Sequence, residues 1–246
     1  MSAIFVSDVH LKDGTSVKTQ LMIRFFQQVA SGFDHVYILG DLFDVWPGTS
    51  KYLVERFRPV LDTLGGLVRA GHQVHYLEGN HDFRLGNHFS QELGIRVYPD
   101  RIEETWNGRK ILMVHGDLEN PNEKGAPFLR AFLRNEILHQ TVRRIPDQWI
   151  FSLGKHASQL SRKFQSKLPL DETKVREVYR STARSYFEKG VDVVVMGHTH
   201  LPDHLRVEVG GRPRDYYNLG DWVRHFSYLE FDGREFYTKT HPVKSL

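Results

Sequence analysis

Five short apolar runs in this chain each stop on an unusual polar cluster, and that recurrence limits the folds open to it. They end in "VSDVH" (Asp8, His10), "LGD" (Asp41, with Asp44 following), "EGNHD" (Asn80, His81, Asp82), "VHGD" (His115, Asp117) and "MGHTH" (His198, His200). Runs of this length bounded by turn residues read as strands buried on both faces. Helical patterns separate them: Val17, Leu21, Met22, Phe25, Phe26 and Val29 recur at helical spacing before Gly32, and further helices are predicted over 52–69, 86–93 and 171–189. Strands alternating with helices imply an α/β fold with a mainly parallel sheet. The carboxyl ends of such strands share one edge, so residues as distant as Asp8 and His200 can meet there. In the tail, strands are predicted over 204–209, 215–219, 226–231 and 235–240, with Gly210-Gly211 and Asp232-Gly233 as hairpin turns.

With 246 residues, 40% of them apolar, the chain can bury the core of one large domain spanning 1–246. It contains no cysteine, which excludes disulfides, thiolate metal sites and cysteine nucleophiles. Any metal must therefore be held by nitrogen and oxygen. The N-terminus lacks the basic and apolar regions of a signal peptide, and no apolar window approaches the ~18 residues of a membrane span.

The formal charge of +3 is too mild to argue for nucleic acid, but it conceals an asymmetry. Residues 124–167 hold nine Lys or Arg against Glu136 and Asp147, a net of +7, which leaves the rest of the chain at −4. The same stretch carries Phe128, Leu129, Phe132, Leu133, Trp149, Ile150, Phe151 and Leu153 at helical spacing, punctuated by Pro127, Pro146 and Gly154. It reads as an amphipathic helical insertion at about 122–170, suited to an anionic amphiphile or an anionic membrane surface. Aromatic residues at helical spacing resemble a packed or lipid-facing stripe more than a base-stacking platform, which argues against nucleic acid.

A lone His or Asp at a strand end ordinarily caps or hydrogen-bonds. Five clusters in one polarity are different: burying so many ionisable groups requires compensation, and divalent cations supply it. Carboxylate, amide and imidazole donors suit Mn²⁺, Fe, Zn²⁺ or Ni²⁺ rather than Ca²⁺.

At these residues the sequence resembles the calcineurin-like metallophosphoesterases, whose pattern runs D-x-H, G-D, G-N-H-D or E, H-G and G-H-x-H. All five blocks are present in order from Asp8 to His200. The resemblance implies a four-layer α/β/β/α sandwich with the helical insertion as a lid. It also implies a dinuclear centre, with Asp8, His10 and His200 on one metal, Asn80, His115 and His198 on the other, and Asp41 bridging them. The expected cofactor is a pair of divalent ions, Mn²⁺ first, with Fe, Zn or Ni as alternatives, holding a hydroxide in line with phosphorus. His81 is then expected to donate to a phosphoryl or leaving-group oxygen, with Asp82 fixing its tautomer and raising its pKa.

Within that superfamily the chain looks like the UDP-2,3-diacylglucosamine hydrolases of lipid A biosynthesis. The likeness rests on "ILGDLFDVW" (38–46), "GNHDF" (79–83), "VHGD" (114–117), "GHTHLP" (197–202), "NLGDW" (218–222) and an insertion of similar length. It implies hydrolysis of a nucleotide-linked acylated sugar to UMP and 2,3-diacylglucosamine 1-phosphate, in the cytoplasm or on the inner face of the inner membrane, with the insertion covering the acyl chains. Ser161, Arg162, Lys163 and Lys167 are the expected substrate contacts in the insertion. His81 stands where the best-known members carry Arg, and Arg84 is expected to supply that positive charge. The alternative is a calcineurin-like phosphoesterase acting on phosphomonoesters, cyclic nucleotides or nucleotide pyrophosphates. A metal-poor binding scaffold is disfavoured, since such proteins lose ligands and none is missing here.

Overall fold

The computed structural model describes residues 1–121, 125–135, 145, 146, 148–154, 156 and 171–242. Strands β1 (Ala3–Val6), β2 (His35–Leu39), β3 (Gln73–Leu77), β4 (Arg96–Tyr98), β10 (Ser227–Phe231) and β11 (Phe236–Thr240) form one sheet in the order β11-β10-β1-β2-β3-β4. A second sheet has the order β5-β6-β7-β9-β8, from β5 (Arg101–Trp106), β6 (Arg109–Val114), β7 (Val193–Met196), β8 (Asp203–Val209) and β9 (Arg212–Asn218). Helices α1 (Val17–Gln28) and α2 (Lys51–Arg69) follow β1 and β2, and α3 (Gly125–Leu133) and α4 (Glu172–Glu188) lie between β6 and β7 in sequence. Ser16 and Ser50 cap α1 and α2 by accepting the Thr19 and Leu53 amides, and Asp171 caps α4 on the Lys174 amide.

Alternation along the strands builds the layers. Ile4, Val6, Val36, Ile38, Val74 and Tyr76 pack in a core with α1 and α2 residues such as Phe25, Phe26, Phe57 and Leu64. Their neighbours Ala3, Phe5, Tyr37, Leu39 and Leu77 face a second core shared with Ile111, Met113, Val193 and Val195 of the other sheet. On that sheet's far side Leu112, Val114, Val194 and Met196 pack with Tyr179, Ala183 and Phe187 of α4. Three cores separate four layers, α/β/β/α. Each fully buried Leu, Val, Ile or Phe contributes about 1.5–3 kcal/mol.

The four-layer sandwich is the fold the resemblance implied, and one detail read from strand alternation is corrected. Instead of one mainly parallel sheet there are two mixed ones: β1, β2, β3 and β4 run parallel, as do β6, β7 and β9, while β10, β11, β5 and β8 pair antiparallel. Burial on both faces makes the strands of either sheet look alike in sequence. Strands β4 and β5 lie in a stretch with no predicted structure. The first is a three-residue edge strand, and the second buries only Ile102 and Trp106 of "RIEETW". The short helix predicted near 86–93 is a single π turn, His88–Glu92.

Candidate metal centre

The loops after β1 and β2 run side by side: the Val9 and His10 amides both donate to the Asp41 carbonyl at 2.9 Å, and Leu11 donates to Leu42 at 2.8 Å. The loop after β3 joins them where the Trp46 amide meets the His81 carbonyl at 2.8 Å. From the second sheet, the loops after β6 and β7 are tied by the Gly197 amide on the His115 carbonyl, and the Trp222 amide reaches the Asp8 carbonyl. The candidate ligands therefore straddle the gap between the sheets.

Five of them, Asp8, His10, Asp41, His198 and His200, have positive φ between 52° and 68°. For non-glycine residues that conformation costs of order 1–3 kcal/mol each, a strain that clusters at functional sites. Two glycines serve a different need. A Cβ on Gly79 would strike the Asp41 carboxylate, and one on Gly197 would strike Ser7 and Asp8.

Two donor groups result. In one, His10 Nε2 and His200 Nε2 are 3.4 Å apart, and Asp8 Oδ1 lies 3.9 and 3.6 Å from them. In the other, Asn80 Oδ1 lies 3.0 Å from His115 Nε2 and 3.1 Å from His198 Nδ1. Asp41 stands between the groups, its Oδ2 being 3.8 Å from His10 Nε2 and 3.5 Å from His115 Nε2. Asp8 Oδ1 is fully buried without a hydrogen-bond partner. An acceptor orphaned beside imidazole nitrogens fits a cation, and Asp8–His10–His200 and Asp8–Asp41–His115 each converge as a metal-ligating set would.

The electrostatics divide the histidines: neighbouring carboxylates raise His115 and His200, while His10 and His198 are lowered. Burial alone would raise Asp41, but His115, His81 and His10 hold it well below the usual carboxylate range. Burial alone would lower His115, yet Asp41 raises it well above an ordinary histidine. Burial lowers His10 and His198 despite nearby carboxylates, leaving neutral imidazoles suited to ligation.

The expectations for residues 81–84 need two corrections. Asp82 does not touch the His81 ring. It is fully buried, with Oδ1 accepting the Asp41 amide at 2.8 Å and the Gly79 amide at 3.1 Å, and Oδ2 accepting the Phe43 amide at 3.1 Å and the Tyr76 hydroxyl at 2.6 Å. Four donors saturate it, so it braces the loops that carry Asp41 and Asn80. The partner of His81 Nδ1 is instead the Asp44 carbonyl at 2.8 Å, while the His81 amide donates to Asp41 Oδ1 at 2.9 Å. Arg84 turns to the Arg134 carbonyl beyond α3. Ser161, Arg162, Lys163 and Lys167 lie outside the described residues.

Two residues quoted in the sequence motifs were given no role there. Asp44 places Oδ1 3.6 Å from His10 Nδ1 and forms a third convergent set with His10 and His81. Asp221, in the loop after β9, faces His200 Nδ1 at 3.3 Å and accepts the Arg224 and His225 amides. Burial opposes its ionisation, but His200 and these amides pull its carboxyl far below the ordinary range. "NLGDW" marked it as part of a family likeness, without a role.

An α/β/β/α sandwich with oxygen and imidazole donors at the inter-sheet edge defines a metal-dependent hydrolase. The chain belongs to the calcineurin-like phosphoesterase family, whose model matches residues 1–202. Relatives named UDP-2,3-diacylglucosamine hydrolase include those of Stenotrophomonas maltophilia strain K279a, 31% identical over 94% of this chain and 95% of its own, and Nitrosococcus oceani, 33% identical over 93% and 90%. A third, from Pseudomonas aeruginosa, is 28% identical over 94% and 95%.

Proposed function

We propose that this protein hydrolyses UDP-2,3-diacylglucosamine to UMP and 2,3-diacylglucosamine 1-phosphate. The observation that carries the substrate is the end-to-end similarity, at about 30% identity, to relatives of that name. Asp8, His10 and His200 would hold one divalent ion, Asn80, His115 and His198 a second, and Asp41 both, with Mn²⁺ the first choice among metals. Such ions supply nucleophilic water at neutral pH and neutralise phosphoryl charge.

The chain's own groups do the rest. The Asp44 carbonyl keeps a proton on His81 Nδ1, so Nε2 can donate only as the imidazolium. In that form it would pass its proton to the oxygen of the sugar 1-phosphate as the bond to the uridylyl phosphorus breaks. Asp82 keeps the His81 loop rigid from behind.

The insertion would be a lid on one metallophosphoesterase domain. Phe128, Phe132, Trp149 and Leu153 are exposed there, supporting contact with acyl chains and a membrane surface. Among the described residues no helix is long and apolar enough to cross a membrane. The test incubates purified protein with Mn²⁺ and UDP-2,3-diacylglucosamine and measures UMP. Absence of UMP beside good turnover of an aryl phosphodiester would overturn the lipid substrate and favour the other specificity.

A further inference from the structure

Helix α3 begins beyond the His115 loop, yet it reaches the carboxylates that flank two candidate ligands. Arg130 lies in the last turn of α3 and Arg134 directly follows its end, the Arg134 amide donating to the Arg130 carbonyl at 3.0 Å. Arg130 Nη1 forks onto both oxygens of Asp117 at 3.0 and 3.1 Å, two residues after His115. Arg134 Nη2 pairs with Glu78 Oε2 at 2.9 Å, two residues before Asn80. Both guanidinium groups also donate to the Pro99 carbonyl, in the turn that carries the chain from one sheet to the other. Glu78 Oε1 accepts the Leu85 amide, and Arg84 donates to the Arg134 carbonyl, so the loop after β3 is held at both ends.

Exposed ion pairs contribute little, but these are sheltered: side-chain exposure is 11% for Arg130, 20% for Arg134, 7% for Asp117 and 8% for Glu78. The geometry matters because Asn80 and His115 come from different sheets. Their contact at 3.0 Å depends on the relative placement of two loops that share no strand pairing.

We propose that Arg130 and Arg134 are positioning residues: an arginine clamp on Glu78, Pro99 and Asp117 that holds Asn80 and His115 together, so that the seating of α3 sets affinity at the second ion position. This rests on the two-ion reading above. Linkage makes the coupling reciprocal, so filling that position also steadies α3 and the exposed Phe128 and Phe132 it carries.

The test compares wild type with Arg130→Met/Arg134→Met in the full chain. Hydrogen exchange, with chelator present, is expected to quicken about tenfold or more at amides 79–83 and 115–119 and to stay unchanged in β1 and β2. In a Mn²⁺ titration the variant should bind one of two ions about tenfold more weakly, the scale of losing a ligand's support, and the other as before. Unchanged exchange in both loops overturns the clamp. A wild type that binds fewer than two ions overturns the two-ion reading instead, and the exchange comparison still decides the clamp. Should the double variant unfold, Arg130→Lys keeps the charge and loses the fork on Asp117: faster exchange at 115–119 supports the clamp and unchanged exchange overturns it.

Discussion

Asp82 holds Asp41 from behind: its Oδ1 accepts the Asp41 amide at 2.8 Å, and the two carboxyl groups are driven in opposite directions. Burial and the Asp41 charge push Asp82 up to about 7 against the pull of its donors, whereas three histidines hold Asp41 well below the carboxylate range. One carboxylate faces the reaction edge and the other braces the backbone that presents it. Asp82→Asn would turn an amide donor toward a backbone N–H in either orientation, of Asp41 and Gly79 or of Phe43, an unpaired buried contact costing about 3 kcal/mol. Urea melts should show that loss, together with reduced turnover. His81→Gln should leave the melt within about 0.5 kcal/mol of wild type while turnover falls about a hundredfold.

Asp41→Asn keeps the shape of the side chain and removes the charge that both donor groups face. Turnover is expected to fall by about three orders of magnitude, and Mn²⁺ stoichiometry should drop below that of the wild type. Near-normal hydrolysis by a well-folded variant would refute a shared carboxylate.

Asp221→Asn addresses the one carboxylate seen against His200 Nδ1. Orienting partners of this kind commonly change metal affinity by about tenfold to a hundredfold. A Mn²⁺ titration should therefore show weakening at the ion position of Asp8, His10 and His200 with KM for substrate unchanged. A shift in KM with intact ion affinity would assign Asp221 to substrate instead.

His75 predicts acid sensitivity far from the site. It is buried between the sheets, its ring stacked 4.3 Å from Tyr37, with Nε2 toward His35 at 3.2 Å and Nδ1 toward the Tyr98 hydroxyl at 3.1 Å. Burial first, then His35 and Arg96, lower it to about 3, while Glu104, the nearby carboxylate, is taken up by Tyr37 and Trp106. Its folded pKa lies below the unfolded value of 6.5. The neutral ring's contribution is thus present above about pH 6.5 and is lost as pH falls toward 3, by roughly 2 kcal/mol between pH 7 and pH 5. His75→Gln should flatten that part of the urea-midpoint profile, and an unchanged slope would place the sensitivity elsewhere.

Much of this was legible without coordinates because it is local. Apolar runs ending in Asp8, Asp41, Asn80, His115 and His198 announce buried strands and the edge at which they stop, and the spacing of Val17, Leu21, Phe25 and Phe26 announces α1. Strands β4 and β5 were not legible, because a three-residue edge strand and a half-buried one leave no apolar run. The partition of strands between two sheets was equally hidden, since both faces of each are buried.

The amino-acid order by itself determined the donor chemistry, oxygen and imidazole without sulfur, and the order in which those donors leave the strands. Only the tertiary structure decided which atoms face one another: Asp82 behind Asp41, the Asp44 carbonyl on His81, Asp221 on His200, and two arginines at the C-terminal end of α3 and just past it on the flanks of Asn80 and His115. Those pairings join residues that are not sequence neighbours, and Asp41 and His200, like the candidate ligands Asp8, His10 and His198, sit in left-handed backbone. No local propensity encodes that geometry, because it is strained and persists only where the packing of two sheets holds it.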